Sequence, residues 1–85
     1  MAASSFSHRD RVRVTEDHHW AKRATGTIEL HPGAQPANCS RQVQSLQGML
    51  TFYWVRFDEP QTDGEGESGY AEAEIDDRYL EREQI

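Results

Sequence analysis

Two short stretches of this sequence gather side chains with chemical potential. One is "HHW", His18–His19–Trp20, where two imidazoles adjoin an indole. The other is "FYWVRF", residues 52–57, where four aromatic rings and the Arg56 guanidinium fall within six positions, with Tyr70 following in "GYAEAEI". A histidine pair invites a metal-site reading. Adjacent residues of an extended chain point to opposite sides, however, and no third ligand follows at regular spacing, so no metal site is expected at His18 and His19. The "DGEGE" stretch, residues 63–67, lacks the oxygen-ligand spacing of a calcium loop and reads as a hairpin turn. The lone cysteine, Cys39 in the polar "PANCSRQ", excludes an internal disulfide framework and a thiolate zinc cluster. The sequence contains no nucleophile–base–acid set and no phosphate-cradling loop. It therefore predicts no catalytic residue, no metal and no cofactor.

The chemistry that remains is recognition. Aromatic rings offer contact area at small entropic cost, and a guanidinium pairs with carboxylates through a planar fork. The candidate protein-binding residues are His18, His19, Trp20, Phe52, Trp54, Arg56 and Tyr70. For Trp20 two readings stand: a stacking platform beside Tyr53 or Tyr70, or a cap on an open barrel end.

Positioning these groups falls to short strands. "RVRV" at 11–14 alternates with period two and turns Val12 and Val14 inward. "GTIEL" at 26–30 is a second strand with Ile28 and Leu30 inward. Residues 31–48, rich in amides with two prolines and two glycines, read as a long loop, with room for a helical turn at "RQVQSL". A strand over 50–57 places Tyr53, Val55 and Phe57 on one face and Phe52, Trp54 and Arg56 on the other. After the turn region "DEPQTDGEGES", "GYAEAEI" alternates again, with Ala71, Ala73 and Ile75 on one side and Glu72 and Glu74 facing water. A 3₁₀ turn at "DDR" and a last strand at "YLE" complete the order. Two large rings, Phe52 and Trp54, are left on an outer face, so either the 31–48 loop or another molecule must cover them.

This order predicts an all-β fold, a small five-stranded SH3-like barrel with a long irregular loop at 31–48, and an OB-like barrel as the alternative. The expected organisation is a flexible N-terminal tail over 1–8 followed by one domain over 9–85. A chain of 85 residues buries only roughly 60% of its unfolded surface, which limits it to one compact core.

The charge is uneven. Residues 1–57 hold seven Lys/Arg against four Asp/Glu (+3), and residues 58–85 hold two against eleven (−9), which sums to the net −6. An acidic surface disfavours nucleic acid, whose binding needs a basic footprint. No apolar run has membrane-spanning length and "MAASSFSHRD" lacks a signal-peptide core, so no membrane span and a cytoplasmic location are expected.

The blocks "RVRV", "EDHHW", "GTI", "VRFD" and "YAEAE" follow one another in an order that resembles the PsaE family of photosystem I subunits. Those proteins are SH3-like barrels of the electron-transport accessory group. The resemblance spans most of residues 10–82. It implies a barrel fold, an accessory role in an electron-transfer complex, and docking of a ferredoxin-type partner through the arginine of the Val-Arg-Phe block, here Arg56. Glu59 stands where the family carries a basic residue. The resulting expectation is a non-catalytic protein-binding or accessory module, with self-association open to it. A PsaE-like accessory subunit is the first alternative, and an oligomeric enzyme with a site between subunits is the lesser one.

Overall fold

The computed structural model describes residues 6–62 and 69–83. Among these residues six strands are present: β1 (Arg11–Val14), β2 (Thr25–Glu29), β3 (Ser40–Ser45), β4 (Gly48–Gln61), β5 (Tyr70–Asp76) and β6 (Leu80–Arg82). The only helical element among the described residues is a 3₁₀ turn at Asp77–Tyr79. All pairings are antiparallel and form one sheet with the order β3-β4-β2-β1-β6, while β5 pairs with β4. The all-β expectation holds. The count of five strands does not, and β5 and β6 share no ladder, so the sheet is not closed.

β4 organises the molecule. One of its edges is taken by β5, which pairs with Phe52–Arg56 and again at Gln61 across an irregularity. Its other edge is shared end to end: β3 covers Gly48–Tyr53 and β2 covers Trp54–Phe57. Glu29 lies opposite Trp54 and Ser40 opposite Tyr53, so consecutive positions of β4 meet residues separated by the whole stretch 30–39. β2 and β3 thus act as one long strand interrupted by an excursion. Its neck is closed by the His31 N–H donating to the Asn38 carbonyl at 2.8 Å and by the Trp54 N–H donating to the Cys39 carbonyl at 3.1 Å.

This arrangement corrects the long loop expected at 31–48. Its second half is β3, and "RQVQSL" is extended, not helical. β3 exists because β4 runs past its other neighbours and offers an open ladder. A two-residue turn, Leu46–Gln47, joins the strands. It closes on Gly48 at φ +120°, a conformation that favours glycine. The excursion also explains Leu30. Expected inward, it sits just past the end of β2 and is 50% exposed.

The core is the inner face of the sheet. Val12, Val14, Ile28, Val55 and Ile75 are its largest fully buried side chains, joined by Tyr53, Phe57 and Leu80. The inward set expected on the central strand, Tyr53, Val55 and Phe57, is buried. On β5, Ile75 is buried and Ala73 half-buried, but Ala71 is exposed. At Gly26 a Cβ would run into the carbonyl oxygen of Arg56, so β2 and β4 approach there as only glycine allows. Phe6 is also part of the core. It packs edge-on against Tyr53 at 5.3 Å, its N–H reaches the Tyr53 hydroxyl, and its carbonyl accepts from Cys39 Sγ. Phe6 lies within the 1–8 span expected as a tail, and its ring is buried. Cys39, read from sequence as a polar-loop residue, is buried, and burial pushes its thiol up.

Candidate functional site

The outer face of the sheet follows from strand parity. Residues that alternate with the core set point away from it, and register lines them up in rows across strands. One row runs Glu83, Arg11, Thr27, Arg56, Glu72; the next holds Glu81, Arg13 and Thr25. Arg11 donates to both Asp58 oxygens at 2.7 and 2.5 Å, to Glu83 at 2.9 Å and to Thr27 at 3.1 Å. Asp58 also accepts from the Thr25 hydroxyl at 2.7 Å, and with Arg11 this holds its carboxyl down at about 2. Arg13 pairs with Glu81 at 3.0 Å.

Arg56 stands in the middle of this face, exposed, between Thr27 and Glu72. The other strand arginines, Arg11, Arg13, Arg41 and Arg82, each form an ion pair. Arg56 forms none with any described residue. Its cross-strand neighbour Glu72 is engaged elsewhere, accepting from Trp54 Nε1 at 2.8 Å.

Trp54 is half-buried, and what covers it comes from the excursion. The His31 ring lies 5.3 Å from the indole. His31 is itself buried at 8% exposure. Its Nδ1 accepts from the Gly33 N–H at 2.9 Å, which leaves the proton on Nε2 to donate to Glu74 at 2.5 Å. Arg41 grips the same carboxylate through Nε at 3.0 Å and Nη2 at 2.9 Å. Arg41, assisted by His31, holds the Glu74 carboxyl below its ordinary value against the opposing effect of burial. Phe52 is half-buried with Arg41 and Asp76 as its cross-strand neighbours. The excursion and β3 thus supply part of the cover that Phe52 and Trp54 need. Glu74, expected to face water, lies within a hydrogen-bonded cluster.

The remaining candidates form a second group at one end of the sheet. Trp20 packs on Phe57 at 6.0 Å and on Tyr70 at 5.6 Å, so the pairing of Trp20 with Tyr70 is present. Tyr53, the other neighbour considered, is in the core. Tyr70 is 48% exposed. His18 is turned into the structure. It is 4% exposed, its Nδ1 accepts from the Ala21 and Trp20 N–H groups at 3.1 and 3.3 Å, and burial lowers its pKa. It serves as an internal acceptor for a tight loop and packs edge-on against Tyr79 at 5.1 Å. His19 is exposed and stacks on His18 at 4.6 Å, because the chain there is a turn and not extended. Among the described residues no group of three His, Cys, Asp or Glu could hold a metal, and no helix is long and apolar enough to cross a membrane. The "DGEGE" turn lies outside the described residues.

His31, Arg41 and Glu74 were not singled out from sequence. "HPG" was the available sign, since a histidine two residues before a glycine can accept that glycine's N–H as His31 does. Comparison with family models, with curated proteins and with solved structures finds no match to this chain.

Proposed function

We propose that this chain is a non-catalytic protein-docking module, built on an SH3-like roll, whose outer sheet face binds a partner carboxylate through Arg56 beside Trp54. The observation that carries the reading is the Arg56 guanidinium, unpaired among the described residues, in a face where the neighbouring arginines are committed to carboxylates. An exposed arginine with free donors is the natural seat for a bidentate carboxylate. Glu29, Asp58, Glu72, Glu81 and Glu83 surround it on the same face, so the fitting partner presents one carboxylate set among basic residues. The roll draws support from the path of the chain. β5 and β6 lie at opposite ends of the order β6-β1-β2-β4-β5, yet only Asp77–Tyr79 separates them. Three residues span about 10 Å at most, so the sheet must curl to bring its ends near each other.

The PsaE-like accessory role is the second reading. It is favoured by the exposure of Arg56 within the Val-Arg-Phe block, while Glu72 across the strand weakens attraction for a uniformly acidic electron carrier. Both readings are tested by titrating ¹⁵N-labelled chain at low salt with a ferredoxin and, separately, with a basic peptide carrying a central glutamate. Amide shifts centred on Thr27, Arg56 and Glu72 that vanish in Arg56→Glu are expected with the peptide. Such shifts with ferredoxin alone would favour the second reading. Binding unaffected by Arg56→Glu would overturn both.

A further inference from the structure

Three strand edges carry no partner strand among the described residues, and they differ in protection. β6 offers three residues, of which Glu81 and Arg82 are charged. The outer edge of β5 carries Glu72, Glu74 and Asp76. Short length and like charge are ordinary defences against edge-to-edge pairing. The outer edge of β3 has neither. It pairs with β4 in unbroken register from Ser40 to Ser45, without bulge, proline or lysine. Its single charge, Arg41, is already paired with Glu74.

The surroundings of this edge are equally distinct. From Leu30 to Phe57 the sequence contains no Asp or Glu, although the whole chain has 15 and a net charge of −6. Two copies carry a net mutual repulsion, and this stretch adds no carboxylate to it. The hairpin tip adds apolar surface, with Leu46 fully exposed and Met49 at 56%.

We propose that β3 is a homodimerisation edge, pairing antiparallel with β3 of a second copy about a twofold axis at Val43. The register follows from parity. Residues opposed in an antiparallel pair share a face, so a strand pairing with itself must have its axis on a residue and not between two. An axis at Val43 sets Val43 against its own copy, Gln42 against Gln44 of the second copy, and Arg41 against its Ser45. No like charges meet. An axis at Gln42 would instead oppose Arg41 to Val43 of the second copy. The Val43 axis also brings Leu46 of the second copy opposite Ser40. Ser40 lines a groove of about 420 Å³ between the excursion and β3, with Gly33, Ala34 and Pro36 on its other wall. The most exposed leucine of each copy is thereby delivered to a groove on the other.

The test is light scattering on the full chain from about 10 μM to about 1 mM, a range that covers weak dimers. The wild type is expected to approach twice 9.8 kDa. Val43→Lys, which opposes two ammonium groups across the axis, and Leu46→Asp, which alters only an exposed turn, are both expected to remain at the monomer mass while keeping a cooperative melting transition. Val43→Cys is expected to form a covalent dimer under mild oxidation, while wild type with its buried Cys39 does not. A monomeric wild type throughout, or a dimer that survives Val43→Lys and Leu46→Asp, would overturn the proposal. Failure of Val43→Cys to cross-link in a dimeric sample would overturn the axis.

Discussion

The sheet body and the β3–β4 hairpin are made from one continuous strand, β4, yet they are held in different ways. In the body, β4 has a neighbour on each side over Phe52–Arg56, and its inner residues meet Ile28 and Ile75 across the ladder or in the core. Outside, charge is neutralised in pairs such as Arg11–Asp58. In the hairpin, Gly48–Thr51 pair with β3 alone, Val43 and Leu50 are only half-buried, and carboxylates are absent from residues 40–51. A two-stranded ribbon is marginal in water by itself. The difference teaches that the body supplies the stability and the hairpin rides on it, with its surface chemistry left open to other uses.

Substitutions in the body and the hairpin should therefore differ by severalfold. Ile28 is fully buried, and Ile28→Ala is expected to cost about 3 kcal/mol through lost burial and a residual cavity. In dilute, monomeric samples Leu46→Ala should stay within about 0.5 kcal/mol, as an exposed turn position does. Urea titration of both variants measures this, and equal costs would break the contrast. Gly26→Ala should follow Ile28→Ala, at about 2 kcal/mol, because the new Cβ meets backbone and not a side chain that can swing away.

The next effect depends on pH. Burial lowers the pKa of His18, so between its folded value and its ordinary value near 6.5 the unfolded chain binds the extra proton. The stability that neutral His18 contributes is complete above that ordinary value and declines as pH falls below it. The slope is at most about 1.4 kcal/mol per pH unit. Urea midpoints compared at pH 7.5 and 5.5 should show the decline in wild type and a flatter profile in His18→Gln. Equal profiles would show that the imidazole is not held neutral.

How much of this contrast was legible in the sequence differs between the same two regions. The body was readable because alternation in "RVRV" and strand parity through "YWVRF" mark one buried face, and the burial of Val12, Val14, Tyr53, Val55 and Phe57 follows it. β3 was not readable. "SRQVQS" holds one apolar residue, and its turn, Leu46–Gln47, lacks the Asn-Gly or Asp-Gly pair that announces a hairpin. Its strand state comes from the open ladder on β4, a tertiary cause that no local pattern encodes. The functional candidates divide similarly. Arg56 was placed outward by parity alone. The burial of His18 was missed because backbone N–H groups of its own loop consume Nδ1, and the role of His31 was missed because its partners Arg41 and Glu74 are distant in sequence.

The smallest predicted effect tests whether the charge pairs of the body are more than decoration. Asp58 is about 42% exposed, which screens the pair with Arg11, but the contact is bidentate and Thr25 supplies a third hydrogen bond. Asp58→Asn should therefore cost only about 0.5–1 kcal/mol at pH 7, at the upper end for exposed pairs. The depressed pKa fixes the direction of the pH dependence. The contribution is present above the ordinary carboxylate value near 3.8 and is lost as pH falls through about 2. Melting temperatures of wild type and Asp58→Asn should differ by a few degrees at pH 7 and converge between pH 4 and 2, with added salt narrowing the gap at neutral pH. A gap that persists unchanged to pH 2 would assign the loss to packing around residue 58 and not to its charge. The sheet face would then owe its order to register alone, and the body would resemble the hairpin more closely than its ion pairs imply.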